Sequence, residues 1–339
     1  MKRIIFVVLI GIATPPLLSG QTARSTGTPR TPWGDPDVQG IWDYWTFTPL
    51  ERPNELSGKA DLTTEEAGQL AQRLRDQAIG ADARRPQPGN PGAYSQEVWT
   101  DRSRAKALNQ PSIIVDPADG KIPPLTAKGQ QLEEAHKAAG GHPVRTRTDG
   151  VGIDGPEDRG VAERCILGFS TGPPMLPGGY NNNVQLFQTR DYVAMLLEMN
   201  HDVRIVPLDG RPGLTGSIRQ WMGSSRGHWE GNTLVVETTN FTDKTASFSG
   251  RVNAGGFERG SAEHLRLIER FTRVDAGTLV YEFTVNDSVT FTRPFTGRIP
   301  MNLSQQPIYE YACHEGNYGL RNMLLGARAA ERKGGAESK

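Results

Sequence analysis

The sequence predicts a mainly β protein: an antiparallel meander closing into a barrel or a strongly curved sheet, with an N-terminal helical and loop segment. Three observations predict it. With 39 glycines and 24 prolines in 339 residues, the composition favours short strands and many turns over long helices. After a strand at Val184 to Gln188, β segments follow in close succession at 192–206, 217–223, 226–229, 233–241, 264–273, 278–285, 289–298 and 307–314. Two of the junctions are tight turns, Glu230-Gly231-Asn232 and Asp275-Ala276-Gly277, each flanked by β-branched or aromatic residues. Consecutive strands joined this way pair antiparallel, and about eight are enough to close a barrel.

Taken in order, the chain opens with Lys2-Arg3 and the apolar run IIFVVLIGIATPPLLSG, so residues 1–20 have the form of a signal peptide. Pro15 and Pro16 interrupt the run and leave it short for a membrane span, which favours cleavage before Gln21 over an uncleaved anchor. A periplasmic or secreted location follows. Residues 21–32 read as a flexible leader, 33–163 as the helical and loop segment, 164–325 as the barrel-like domain and 326–339 as a disordered tail.

In the helical and loop segment, Val38 to Phe47 is a first strand carrying Trp42 and Trp45, with Trp33 shortly before it. The three rings form either a platform for a flat ligand or a plug for one end of the core, and their large buried area favours the plug. Asp61 to Ile79 is predicted as a helix. Thr63 and Glu66 have capping-box spacing, and Ala67, Leu70, Ala71, Leu74 and Ala78 make an apolar stripe. A short β segment at Ile113 to Val115, a turn at Asp116 to Gly120 and a second helix from Ala127 to Ala139 complete the region. Residues 80–97 and 142–163 hold chain breakers and no periodicity.

Lysine plus arginine balances aspartate plus glutamate at 38 each, so neither a nucleic-acid footprint nor an anionic-membrane surface is expected. The expected partner is a small-molecule ligand or substrate. Cys165 and Cys313 are the only cysteines, and in an oxidising compartment such a pair is expected to form a disulfide. It would tie the entrance of the central sheet to its last strand. No dinucleotide fingerprint, P-loop or haem-attachment motif occurs, so no redox cofactor is expected. The pairs His201-Asp202, His228/Glu230 and His314-Glu315 leave a divalent metal open, but no HExxH or paired-cysteine spacing accompanies them.

Gly223-Ser224-Ser225-Arg226-Gly227 matches G-x-S-x-G, yet that motif needs a strand before it and a helix after it, and here a hairpin follows. The segment 192–206, read as one strand, places Met195, Leu197, Met199, His201, Val203 and Ile205 on one face. Glu198, Asn200, Asp202 and Arg204 fall on the other. The polar face is either solvated or the lining of a pocket, and Glu237, Glu269 and Glu282 in later strands fit both. The last motif, Tyr309-Glu310-Tyr311-Ala312-Cys313-His314-Glu315-Gly316-Asn317-Tyr318, packs titratable side chains around the expected bridge.

WGDPDVQGIW, VDPADGKIPPLT, GPPMLPGGYNNN, RIVPLDGRP, IRQWMGSSRGHWEGNTLVVETTNF and YEYACHEGNY resemble a widespread family of exported bacterial proteins, over nearly the whole mature chain. The resemblance implies export and carries no reaction with it. In architecture alone the meander is lipocalin-like, which does not fix function.

The expected function is an exported enzyme, a hydrolase or lyase, acting on a small or carbohydrate-like molecule by acid–base chemistry. The alternative is a non-catalytic barrel binding an apolar or aromatic molecule, with a structural envelope protein as a third possibility. Candidate catalytic residues are His314, Glu315, Asp202 and His201. Tyr180, Asn182, Arg204, Trp221, Asn317 and Tyr318 are candidate substrate contacts.

Overall fold

The computed structural model describes residues 28–82, 106–138, 154–250 and 257–337. The signal peptide, most of the leader, and most of the breaker-rich stretches 80–97 and 142–163 lie outside them. The strands are β1 Gly40–Asp43, β2 Ile114–Asp116, β3 Asn183–Gln188, β4 Tyr192–Leu197, β5 Val203–Pro207 and β6 Ser224–Glu230. They continue as β7 Thr233–Thr239, β8 Phe248–Gly250, β9 Phe257–Arg259, β10 Arg266–Arg273, β11 Thr278–Asn286 and β12 Phe295–Leu303. The helices are α1 Thr64–Asp82, α2 Ala127–Ala138 and α3 Tyr318–Glu337.

Ten strands form one antiparallel sheet in the order β5-β4-β3-β1-β12-β11-β10-β7-β6, with β2 added against β12. Both expected hairpins are present: Glu230 pairs with Thr233 across Gly231-Asn232, and Arg273 pairs with Leu279 around the Asp275-Ala276-Gly277 turn. The end strands of the path, β5 and β6, come together as the sheet curls. Val206 and Leu208 lie over Gly227, where a Cβ would meet them at 2.8 and 2.7 Å. The result is a nearly closed barrel, as the sequence predicts.

Alternation fills it. Val184 and Leu186 on β3, Val193, Met195 and Leu197 on β4, Leu234 and Val236 on β7, and Leu267 and Phe271 on β10 are all essentially inaccessible. So are Leu279, Tyr281, Phe283 and Val285 on β11 and Phe295, Ile299 and Met301 on β12. A chain of ring contacts runs through this core: Phe271–Tyr281 at 5.1 Å, Tyr281–Phe283 at 5.7 Å, Phe283–Phe248 at 6.4 Å and Phe248–Phe295 at 5.1 Å. The outward positions carry ion pairs instead, including Arg266–Glu237, Arg270–Glu230 and Arg298–Glu282. Glu237 and Glu282 therefore face out, and only Glu269 of the three acids faces in.

The N-terminal segment packs on this barrel. Thr63 and Glu66 cap α1 reciprocally: the Thr63 amide donates to Glu66 Oε2 at 2.9 Å, and the Glu66 amide to Thr63 Oγ1 at 3.2 Å. The stripe Ala67, Leu70 and Ala71 is buried against Leu62, Trp45 and Phe47. Trp42 sits in the main core, Trp45 in the α1 cluster, and Trp33 binds Asp35 through its indole N–H. The three rings thus share neither one cavity nor one plug, and only Trp42 fills the main core.

Five expectations need correction. The segment 192–206 is two strands, because a short 3-10 turn at Met199–His201 folds β5 back on β4. Val203 and Ile205 consequently face out, 54% and 53% exposed, while Arg204 faces in. Residues 217–223 and 307–314 form no strand. The first folds back with Arg219 bonded to the Phe241 carbonyl; the second makes local turns, so Cys313 follows the last strand rather than lying in it. The last β segment begins at Phe295, since Asp287 binds the amides of Val289 and Thr290 and turns the chain there. The tail is helical to Glu337 in a stretch rich in Ala, Arg, Glu and Lys, all strong helix formers. No described helix is long and apolar enough to cross a membrane.

Candidate functional site

The β4–β5 turn, the loop from Cys165 to Asn183 and the segment 309–318 meet at one rim of the barrel. Cys165 and Cys313 are disulfide-bonded, with Cα atoms 5.7 Å apart. Asn317 reinforces the joint. Its Nδ2 donates to the Glu163 carbonyl at 2.7 Å and lies 3.4 Å from Cys165 Sγ, while its Oδ1 accepts from the Leu320 amide at the start of α3. Tyr180 stacks on Tyr311 at 6.1 Å and meets Phe169 edge-on at 5.3 Å.

At the centre of this rim is Asn200-His201-Asp202. Asn200 and His201 both have left-handed backbone, at φ 61° and 52°, an unusual pair for non-glycine residues. The His201 Nδ1 accepts the Tyr311 amide at 3.1 Å, so the neutral ring carries its proton on Nε2. Burial pushes the Asp202 carboxyl up from 3.8 to about 6. Among the described residues its Oδ2 is buried without a partner, and so is Asn200 Nδ2. A desolvated carboxyl, an unengaged amide donor and an imidazole N–H thus occupy three successive residues. Strain and unpaired polar atoms are costly to keep, and such costs gather at working sites.

The other candidates separate. Asn182 is fully buried and exchanges two hydrogen bonds with the Gly178 backbone, closing a turn. His314 and Glu315 are exposed, and neither side chain makes a hydrogen bond or ion pair among the described residues. Tyr318 is 70% exposed at the first turn of α3. Trp221 lies in the β5–β6 connection beneath the Lys244 ammonium, at 6.0 Å. The rim is brought together through the bridge as expected, with the buried polar atoms on the β4–β5 turn and the exposed His314 and Glu315 beside Cys313.

Arg204 is in a second cluster, inside the barrel. Its guanidinium donates to Glu269 on β10 through Nη1, at 3.1 Å, and Nη2, and through Nη2 to Ser225 on β6 and Thr238 on β7 at 3.3 and 3.2 Å. The Tyr281 hydroxyl donates to Glu269 Oε1 at 2.9 Å and accepts the Met175 amide at 3.1 Å. Burial works against the Arg204 charge, but the Glu269 carboxylate overcomes it and holds the guanidinium above its ordinary value. Burial first and the Glu269 charge second raise the Tyr281 phenol well above its own. Ser225 meets Arg204 and Thr238, so the G-x-S-x-G letters describe a strand residue of the barrel wall. Tyr281 escapes the sequence reading, and Glu269 stays open there between a solvated face and a pocket, although the alternation Leu267-Glu269-Phe271 puts its carboxylate in an inward register.

Among the described residues no group of three or more His, Cys, Asp or Glu side chains is placed to hold a metal. Compared with family models, curated proteins and solved structures, the chain matches none.

Proposed function

We propose that the protein is an exported enzyme that acts on a small or carbohydrate-like molecule by acid–base hydrolysis or elimination, with Asp202 moving the proton. The observation that supports this is the Asp202 carboxyl itself, partly buried, raised to about 6 and with one oxygen unengaged. A carboxyl tuned towards neutrality is present in useful amounts both as base and as acid near pH 6, and proton transfer of this kind contributes about 10²–10⁴-fold. Asn200 Nδ2 and the His201 N–H are donors that would hold a substrate oxygen beside it, and Tyr180 with Tyr311 offers a flat wall for a ring. The fixed network of Arg204 and Glu269 holds β5, and hence Asp202, in place from within.

The test is a panel of aryl glycosides, aryl esters and uronate oligosaccharides, read by released chromophore or by the absorbance of a new double bond. One class should be turned over with an inflection near pH 6, and a folded Asp202→Asn protein should lose about 10²-fold or more. Wild-type protein that binds members of the panel, by thermal shift, but turns none over would favour the binding barrel. A folded Asp202→Asn protein of undiminished turnover would remove Asp202 from the mechanism.

A further inference from the structure

The connection between β11 and β12 holds a separate group of buried polar atoms. Asp287 is 2% exposed, Thr290 1% and Ser247 1%. Asp287 Oδ1 accepts the amides of Val289 and Thr290 at 2.9 and 3.1 Å, which fixes the carboxylate in place. Among the described residues its Oδ2 is buried with no partner, and the same holds for Thr290 Oγ1 and Ser247 Oγ.

The backbone brings the three together around Gly260. A Cβ there would lie 2.1 Å from Thr290 Oγ1, so that hydroxyl sits directly against the Gly260 backbone. The β8–β9 register pairs Phe248 with Arg259, and the Ala262 amide donates to the Thr245 carbonyl at 2.9 Å in the same register, so Ser247 and Gly260 lie at corresponding positions between these two pairings. The same turn docks α2: the Thr126 amide donates to the Thr290 carbonyl at 3.0 Å, and Gly129 packs on that carbonyl so closely that a Cβ would lie 2.4 Å from it.

Among the described residues Asp287 has no ion-pair partner. A buried carboxylate with a free oxygen needs a compensating positive charge. Carboxylate and hydroxyl oxygens are the ligands that small hard cations take. We infer that Asp287, Thr290 and Ser247 form a binding site for one small hard cation, which fastens the β11–β12 connection to the β8–β9 pair and to the start of α2. One carboxylate balances a single charge, which points to Na⁺. Ca²⁺ has the same oxygen chemistry and is the other arm of the test.

The experiment uses the mature chain dialysed into choline chloride. Melting is then followed in the sodium, potassium, calcium and magnesium chlorides at constant ionic strength. Na⁺ or Ca²⁺ should raise the melting temperature above the choline value by about 3–5 °C at a hundredfold excess over Kd. Asp287→Asn should abolish that rise. Ser247→Ala, which removes a single ligand oxygen, should weaken the apparent affinity about tenfold and serves alone if Asp287→Asn does not fold. Equal melting in every salt would overturn the proposal, as would a rise confined to K⁺ or Mg²⁺, or one that persists unchanged in the variants.

Discussion

Asp202 is held in a state that disfavours its charge, and this has a consequence for stability. Its folded pKa of about 6 lies above the ordinary value of 3.8. The associated stability is therefore fully present below about pH 4 and is lost as pH rises through about 6. Two units correspond to a ceiling of about 3 kcal/mol, and partial solvent screening reduces this to roughly 1–2 kcal/mol. Asp202→Asn, which never ionises, should thus be more stable than wild type by that amount at pH 7 and equal to it at pH 4, measured by urea unfolding. A variant less stable at both pH values would mean that the carboxylate makes a favourable contact. Under the proposed function, this cost at neutral pH is the trade expected of a working carboxyl. The His-Asp pair is visible in the sequence, but its setting is not. Met199-Asn200-His201-Asp202 fits a strand by alternation, and only the tolerance of asparagine for left-handed backbone hints at the turn.

The strands most open to sequence reading are those in which one face is buried and a tight turn fixes the register. That is why β7, β10 and β11 fall within two residues of their predicted bounds. Segments 217–223 and 307–314 carry similar apolar content but stay out of the sheet, their ends being held by Arg219 and by the bridge. Tertiary contacts of that kind leave no local pattern. The β11–β12 pairing depends on one close approach that the alternation also conceals. Gly297 faces Phe283 across the ladder, and a Cβ there would lie 2.2 Å from the far edge of that ring. Phe283 is fully buried between Tyr281 and Phe248 and has no room to yield. Gly297→Val should destabilise the protein by about 2–3 kcal/mol or more, measured by denaturant midpoint. Wild-type stability in that variant would show that the ring can swing clear.

For the molecule as a whole, two devices complete a barrel whose end strands share no hydrogen-bonded ladder. Inside, Arg204 reaches from β5 to β6, β7 and β10 and ties the seam from the core side. Outside, the disulfide closes a span of 148 residues and lays the segment after β12 against the β4–β5 turn. The second was legible, since a chain with only two cysteines has one possible intramolecular pairing. The first was not, because it requires a closed sheet to bring β5 near β10. The bridge has two separable effects. Losing it should cost on the order of 2–5 kcal/mol of global stability through the freed chain. Locally, Cys313→Ser should release Tyr311 from His201. Under native conditions, amide exchange at Tyr311 should then quicken well beyond that of the β10–β12 amides, which open only with the whole barrel. Exchange at Tyr311 that slows or quickens only in step with β10–β12 would mean that the His201 contact and the Tyr180 stack hold the rim without the bridge.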